Sequence, residues 1–230
     1  MTKKLGVNDG SGFMGLKQKI SALLILIGLT PFVVFYFYSA GKVAELTLQT
    51  NKDRLVSLRE TKKNQIENYF KNIASQASTF SKSFMMVDAM DKFSNSFSQV
   101  EQQTIASESE NLESKLSGRY RYQQENTPGA PDNAVAKWMP KGKASQILQN
   151  LYISSNPDPI GEKQKLDAAN DLSMYSQIHG QYHPTIRRYL EEFGYYDIFL
   201  VDAETGFIVY SVFKEVDYAT NLKTGPYKDS

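Results

Sequence analysis

The chain has 230 residues, a net charge of +1, 41% hydrophobic residues and no cysteine. The missing cysteines exclude disulfide frameworks, thiolate metal sites and cysteine nucleophiles, and are compatible with a bacterial exterior compartment. Lys and Arg are balanced by Asp and Glu and do not cluster, so composition offers no nucleic-acid surface.

Residues 1–19 carry Lys3, Lys4, Lys17 and Lys19 against Asp9, which is +3 of the total and leaves −2 for the remainder. Ile20 to Gly41 then contains no charged residue. Its 22 residues, at about 1.5 Å each, reach roughly 33 Å, enough to cross a hydrocarbon core of about 30 Å. Pro31 lies mid-span, where a membrane helix tolerates it with a kink, and Tyr36 and Tyr38 suit an interface. The run exceeds the apolar core of a secretory signal, about 7–15 residues, and no A-x-A site precedes Lys42. It therefore reads as an uncleaved anchor in contact with lipid. Lys42, Glu45, Lys52, Asp53 and Arg54 beyond it are of mixed sign. The positive-inside rule then predicts a cytoplasmic tail 1–19, one transmembrane helix 20–41 and an exterior region 42–230 at a bacterial plasma membrane.

From Lys42 to Glu125 the only glycine or proline is Gly118, which predicts a long helical region. Ile66, Phe70, Ile73, Ala77, Phe80, Phe84 and Val87 follow at spacings of 4, 3, 4, 3, 4 and 3, a heptad seam that Met90, Phe93 and Phe97 extend. A partner chain and a returning helix are both acceptable occupants of so narrow a stripe. Phe93 to Leu116 becomes Ser-, Gln- and Glu-rich, with apolar positions thinning to Val100, Ile105, Leu112 and Leu116, a solvated and broken helix. Ser107 and Ser109 read as solvated surface. Residues 126–170 are punctuated by Pro128, Pro131, Pro140, Pro157 and Pro159, predicting an irregular connection with a short helix near Ala144–Leu151. A second helix is predicted over 171–193, interrupted or kinked at Pro184 and stopped by Gly194. Tyr195–Val201 and Phe207–Phe213, joined by Asp202-Ala-Glu-Thr-Gly206, predict a β-hairpin that needs a helix or further strands against one face.

His179 and His183 are four apart, as a metal pair on one helix face would be, but Pro184 and the absence of a nearby acid favour structural histidines. Asp9-Gly-Ser-Gly12 lacks the Lys-Ser/Thr of a phosphate loop, and there is no G-x-S-x-G or H-E-x-x-H. Neither a metal, a cofactor nor an enzymatic activity is expected from these residues.

The run YHPTIRRYLEEFGYYDIFLVDAETGFIVYSVFKEVDYATNLKTGPYKDS, with ETKKNQIENYFKNI and LYISSNPDPIGEKQKLD upstream, resembles the extracytoplasmic sensor region of bacterial methyl-accepting chemotaxis proteins. That resemblance covers essentially everything after the anchor. It implies an α+β fold: a long helix rising from the membrane into a Cache-like, PAS-related antiparallel sheet, here an incomplete one represented by one hairpin. It also implies a homodimer through the long helix and an unknown small-molecule ligand. A complete receptor continues with more sheet, a second span, a HAMP relay and a hairpin that contacts CheA and CheW, so Ser230 is expected to fall inside the sensor domain. In such a sensor the concave sheet face and its loops hold the ligand. This places Tyr210, Lys214, Glu215 and Asp217 as candidate binding residues; the competing reading is an ion-pair cluster fixing the hairpin to the long helix. The R-x-W-Y arrangement of amino-acid-binding members is missing. The alternative assignment is the sensor region of a membrane-bound nucleotide cyclase or histidine kinase, and a third is a stand-alone single-span scaffold.

Overall fold

A computed structural model describes residues 15–103 and 111–228. Residues 1–14, which include Lys3, Lys4 and the Asp9–Gly12 motif, lie outside it, as do Ile105, Ser107 and Ser109. The protein is mostly helical with one two-stranded antiparallel sheet, an α+β fold. It divides into two compact units, one up to Ser75 and one from Gln76 onward.

In the first unit a single helix, α1 (Leu16–Ser81), runs without a buried residue. Among the described residues it is the helix long and apolar enough to cross a membrane. Pro31 sits inside it without ending it, and the Thr30 hydroxyl returns its hydrogen bond to the Leu26 carbonyl. The hydroxyl beside the proline is thus satisfied within its own helix. Beyond the apolar run the surface carries helix-spaced ion pairs, Lys42 with Glu45 at 2.9 Å and Lys63 with Glu67 at 3.9 Å.

The second unit begins with the last turn of α1 and continues with α2 (Phe84–Gln103), α3 (Leu112–Glu125), α4 (Ala134–Trp138), α5 (Lys143–Gln149), α6 (Met174–Phe193), β1 (Phe199–Val201) and β2 (Ile208–Ser211). A break at Lys82–Ser83, where the Ser83 hydroxyl donates to the Phe80 carbonyl at 2.7 Å, changes the phase of the predicted seam. Phe84 and Val87, expected on the seam, are 87% and 57% exposed. Phe93 and Phe97, which extend the predicted seam, are buried, and they share the stripe of α2 with Met86, Ala89 and Val100. It packs on α6, whose buried positions Tyr175, Ile178, His179, Tyr182, Ile186 and Leu190 form one helical face.

Pro184 does not interrupt α6, contrary to the expectation above; the helix runs through it from the Ser173 cap, whose Oγ accepts from Ser176 N at 3.2 Å, to Gly194 at φ 67°. Proline removes only the bond to Gly180, and the packing of both halves outweighs that loss. The connection 126–170 is more ordered than its prolines suggest. After α5 a five-residue π-turn, closed by Ser155 N to Asn150 O at 2.7 Å, keeps Leu151, Tyr152 and Ile153 all buried.

Both strands are shorter than the apolar runs that announce them. Pairing is Phe199 with Ser211, Leu200 with Tyr210 and, across a bulge, Val201 with Ile208. Asp202 Oδ1 accepts from Glu204 N and Thr205 N at 2.9 and 3.0 Å, and Gly206 at φ 85° closes the turn. The chain then returns alongside: Ile208 N donates to Thr220 O at 2.9 Å and Leu222 N to Gly206 O at 2.8 Å, a single bridge at Phe207–Asn221.

Phe93 is the centre of the core, fully buried, with the rings of Tyr210 and Tyr175 at 4.7 and 5.4 Å. Phe93→Ala should destabilise the second unit by about 3–5 kcal/mol, read as a lower unfolding midpoint of the full chain in detergent. An unshifted midpoint would show that Phe93 is not central to this core.

Candidate functional site

The hairpin and α6 bring an unusual set of polar side chains into the core. Tyr152, Tyr175, Tyr210, Tyr218, His179, His183 and Lys214 are all 2% exposed or less. Each hydroxyl reaches a group on another element. Tyr175 donates to the Val209 carbonyl at 2.7 Å, Tyr218 to the Tyr175 hydroxyl at 2.7 Å, and Tyr152 shares a 2.9 Å bond with Ser176 Oγ. Burial pushes all four phenols up, so they stay neutral.

The two histidines stack at 4.4 Å on the continuous helix. His183 Nε2 lies 2.6 Å from the Gln164 carbonyl, which only accepts, so that nitrogen carries the proton and Nδ1 accepts from the Tyr210 hydroxyl at 2.7 Å. By the same logic His179 Nδ1 donates to the Asp167 carbonyl at 2.5 Å, and its Nε2 has no partner. Desolvation first, then the Lys214 charge, drive both imidazoles well down from their ordinary value. Among the described residues there is no group of three or more His, Cys, Asp or Glu that could hold a metal. The pair acts in packing and hydrogen bonding.

Lys214 sits at φ 59°, a left-handed backbone that is strained for a lysine. That twist turns its ammonium inward, where Nζ donates to the Ser211 and Val212 carbonyls. It lies 4.7, 5.4 and 5.7 Å from the ring centres of Tyr210, Tyr218 and Tyr152, a cation–π enclosure built from the chain itself. Burial pushes it down to about 7, opposed by the Asp197 carboxylate. Asp197 organises the hairpin mouth: Oδ1 accepts from Ile198, Val212 and Phe213 N, and Oδ2 from the Ser211 hydroxyl at 2.8 Å.

The four residues expected to share a ligand site therefore divide. Tyr210 and Lys214 face the core, already satisfied by protein groups. Glu215 accepts from the Tyr196 hydroxyl at 2.9 Å. Asp217, pushed up to about 6 by burial and then by the Asp197 and Glu215 charges, leaves Oδ1 unpartnered. Burial pushes Arg119 down and Tyr227 up; the Glu215 charge acts on both and the Asp217 charge on Tyr227, beside the small cluster of Leu116, Tyr120 and Val216.

Two residues carry more of the architecture than the sequence pattern suggests. One is Asp197, whose signal is a lone acid within an otherwise apolar strand run. The other is Gln149, fully buried, which donates to the Val216 and Tyr218 carbonyls at 3.0 and 2.7 Å and accepts from the Tyr120 hydroxyl at 2.7 Å. Nothing in the sequence marks it.

Searches of protein-family models, curated proteins and solved structures found no match to the chain.

Acid should unfold this core through its histidines. Both are held neutral below their ordinary value, so as pH falls through about 6.5 the unfolded chain takes up protons that the folded one does not, and stability drops. Differential unfolding of the full chain between pH 7 and 5 should show a falling midpoint that flattens in His183→Phe; an equal slope in both would refute the assignment. Lys214 follows the same sign over a higher window: the fold is weakened as pH falls from about 10.4 to 7. Lys214→Met, which keeps the backbone strain and removes the charge, should stabilise by about 1–4 kcal/mol at pH 7 and by less at pH 9.5.

Proposed function

We propose that the chain is the membrane-anchored sensory portion of a bacterial chemoreceptor, with residues 1–19 in the cytoplasm and residues 42–230 outside the plasma membrane. The observation that carries this reading is the pairing, in one chain, of an apolar membrane-length helix with a small α+β unit. The Lys-rich flank before Ile20 supports the orientation. The helix–hairpin order of the second unit is compatible with a Cache-like module.

In this reading the chain does no chemistry. A ligand acts by its difference in affinity between two arrangements of the helices entering the membrane, and one with equal affinity for both transmits nothing. Exposed Ile66, Tyr69 and Phe70 on α1 offer a second copy of the chain an apolar strip at helical spacing. The α1–α1 contact is the proposed homodimer, and CheA and CheW would be met only by a full-length receptor.

A chain without cysteine makes the topology directly readable. Ser57→Cys should react with a membrane-impermeant maleimide on intact cells and Thr2→Cys only after lysis; the reverse pattern overturns the reading. Deleting the gene should leave swimming intact and remove the directional response to at least one compound in a panel of nutrients and organic acids, restored by the gene in trans. An unaltered response across the panel would remove the sensory assignment while leaving the topology standing.

A further inference from the structure

A cleft of about 380 Å³ opens between the 137–145 segment and the 220–228 turn, away from the buried histidine–lysine cluster. Among the described residues its lining includes Lys137, Lys141 and Lys228 and neither Asp nor Glu. Two other lysines of this unit are paired with a carboxylate on their own segment, Lys92 with Asp88 at 2.8 Å and Lys165 with Glu162 at 2.5 Å. Lys223, on the same turn, gives its ammonium to the Ala203 and Glu204 carbonyls at 2.8 Å each. The three cleft lysines make no ion pair among the described residues.

The rest of the lining is built. Ser145 is 2% exposed and lines the cleft. Asn221 spends both ends of its amide on the turn: Oδ1 accepts from Lys223 and Thr224 N at 2.8 and 2.9 Å, and Nδ2 donates to the Thr205 carbonyl at 2.9 Å. Gly225 fixes the same turn, because a Cβ there would stand 2.3 Å from the Asn221 carbonyl oxygen. Three like charges around one concavity repel each other, and a ligand of opposite charge relieves that repulsion. The volume falls in the range of small-molecule sites, about 300–1,000 Å³.

We propose that this cleft binds a small multivalent anion, a polycarboxylate or a phosphate, with Lys137, Lys141 and Lys228 supplying charge and the Ser145 hydroxyl a directional hydrogen bond. Lysine suits the role as a mobile point charge that fits either anion geometry. Binding itself follows from the cleft alone; only its use as a signal rests on the sensory reading above.

Calorimetric titration of the full chain in detergent at low ionic strength, with citrate in one arm and inorganic phosphate in the other, tests it. Saturable one-to-one binding in either arm is expected, and the stronger arm identifies the anion. Each single substitution, Lys137→Gln, Lys141→Gln or Lys228→Gln, should weaken it roughly two- to fivefold, the triple variant should abolish it, and Lys71→Gln should leave it unchanged. Salt near 1 M, where the Debye length is about 3 Å, should suppress it. As a second measurement, the bound anion should slow acylation of the three lysines in the unaltered protein. No saturable binding of either anion, or an undiminished affinity in the folded triple variant, overturns the proposal. Either result can be reached whether or not the gene proves to act in chemotaxis.

Discussion

A phenol, imidazole or ammonium taken out of water must find its hydrogen bonds inside the protein, and the second unit is organised by that requirement. Its largest buried side chains are tyrosines rather than leucines. A tyrosine delivers a large apolar ring together with one polar tip that is costly to leave unmatched. The tips here are matched across elements: Tyr175 on α6 to β2, Tyr120 on α3 to Gln149 on α5, Tyr210 on β2 to His183 on α6. A register slip of the hairpin would leave several of these groups unmatched at once. Two short strands are thereby held in one register although so small a sheet has little intrinsic specificity.

The segment after β2 shows how the backbone serves the same end. Lys214 and Ala219 are both left-handed, at φ 59° and 61°, and between them the chain turns Val216 and Tyr218 inward. Gln149 receives this segment by accepting nothing from it and donating twice to its carbonyls. The inward ammonium of Lys214 is tolerated because two carbonyls and three ring faces surround it and the Asp197 carboxylate lies at the hairpin mouth. Such an arrangement fixes a conformation more than it adds stability.

The sequence made some of this legible and hid the rest for identifiable reasons. The helix over residues 20–41, the turn Asp202–Gly206 and the stop at Gly194 could be read because each is announced by a local signal. The helix after the apolar run could also be read, but not its phase at the start of α2. Ser83 breaks it by bonding back to Phe80, a local competition that periodicity does not register, and Phe84 ends exposed while Met86 is buried. Pro184 was a misleading signal, since tertiary packing on both sides of it outweighs one missing hydrogen bond. The grouping of Tyr210, Lys214, Glu215 and Asp217 treated neighbours in sequence as neighbours in space. The left-handed turn at Lys214 sends them to different sides, and no residue type announces a left-handed lysine.

The proline in α6 has a mechanical corollary. Bending a helix ordinarily means stretching backbone bonds on its outer side, but here the rung between Gly180 and residue 184 does not exist. The half bearing Tyr175 and His179 is tied to the hairpin, whereas the half bearing Tyr189 stacks on Phe80 at 3.7 Å. Flexure about this point would change the angle between those two attachments without breaking a rung of the ladder, so α6 is supplied with a ready-made pivot between the sheet and the terminal turn of α1.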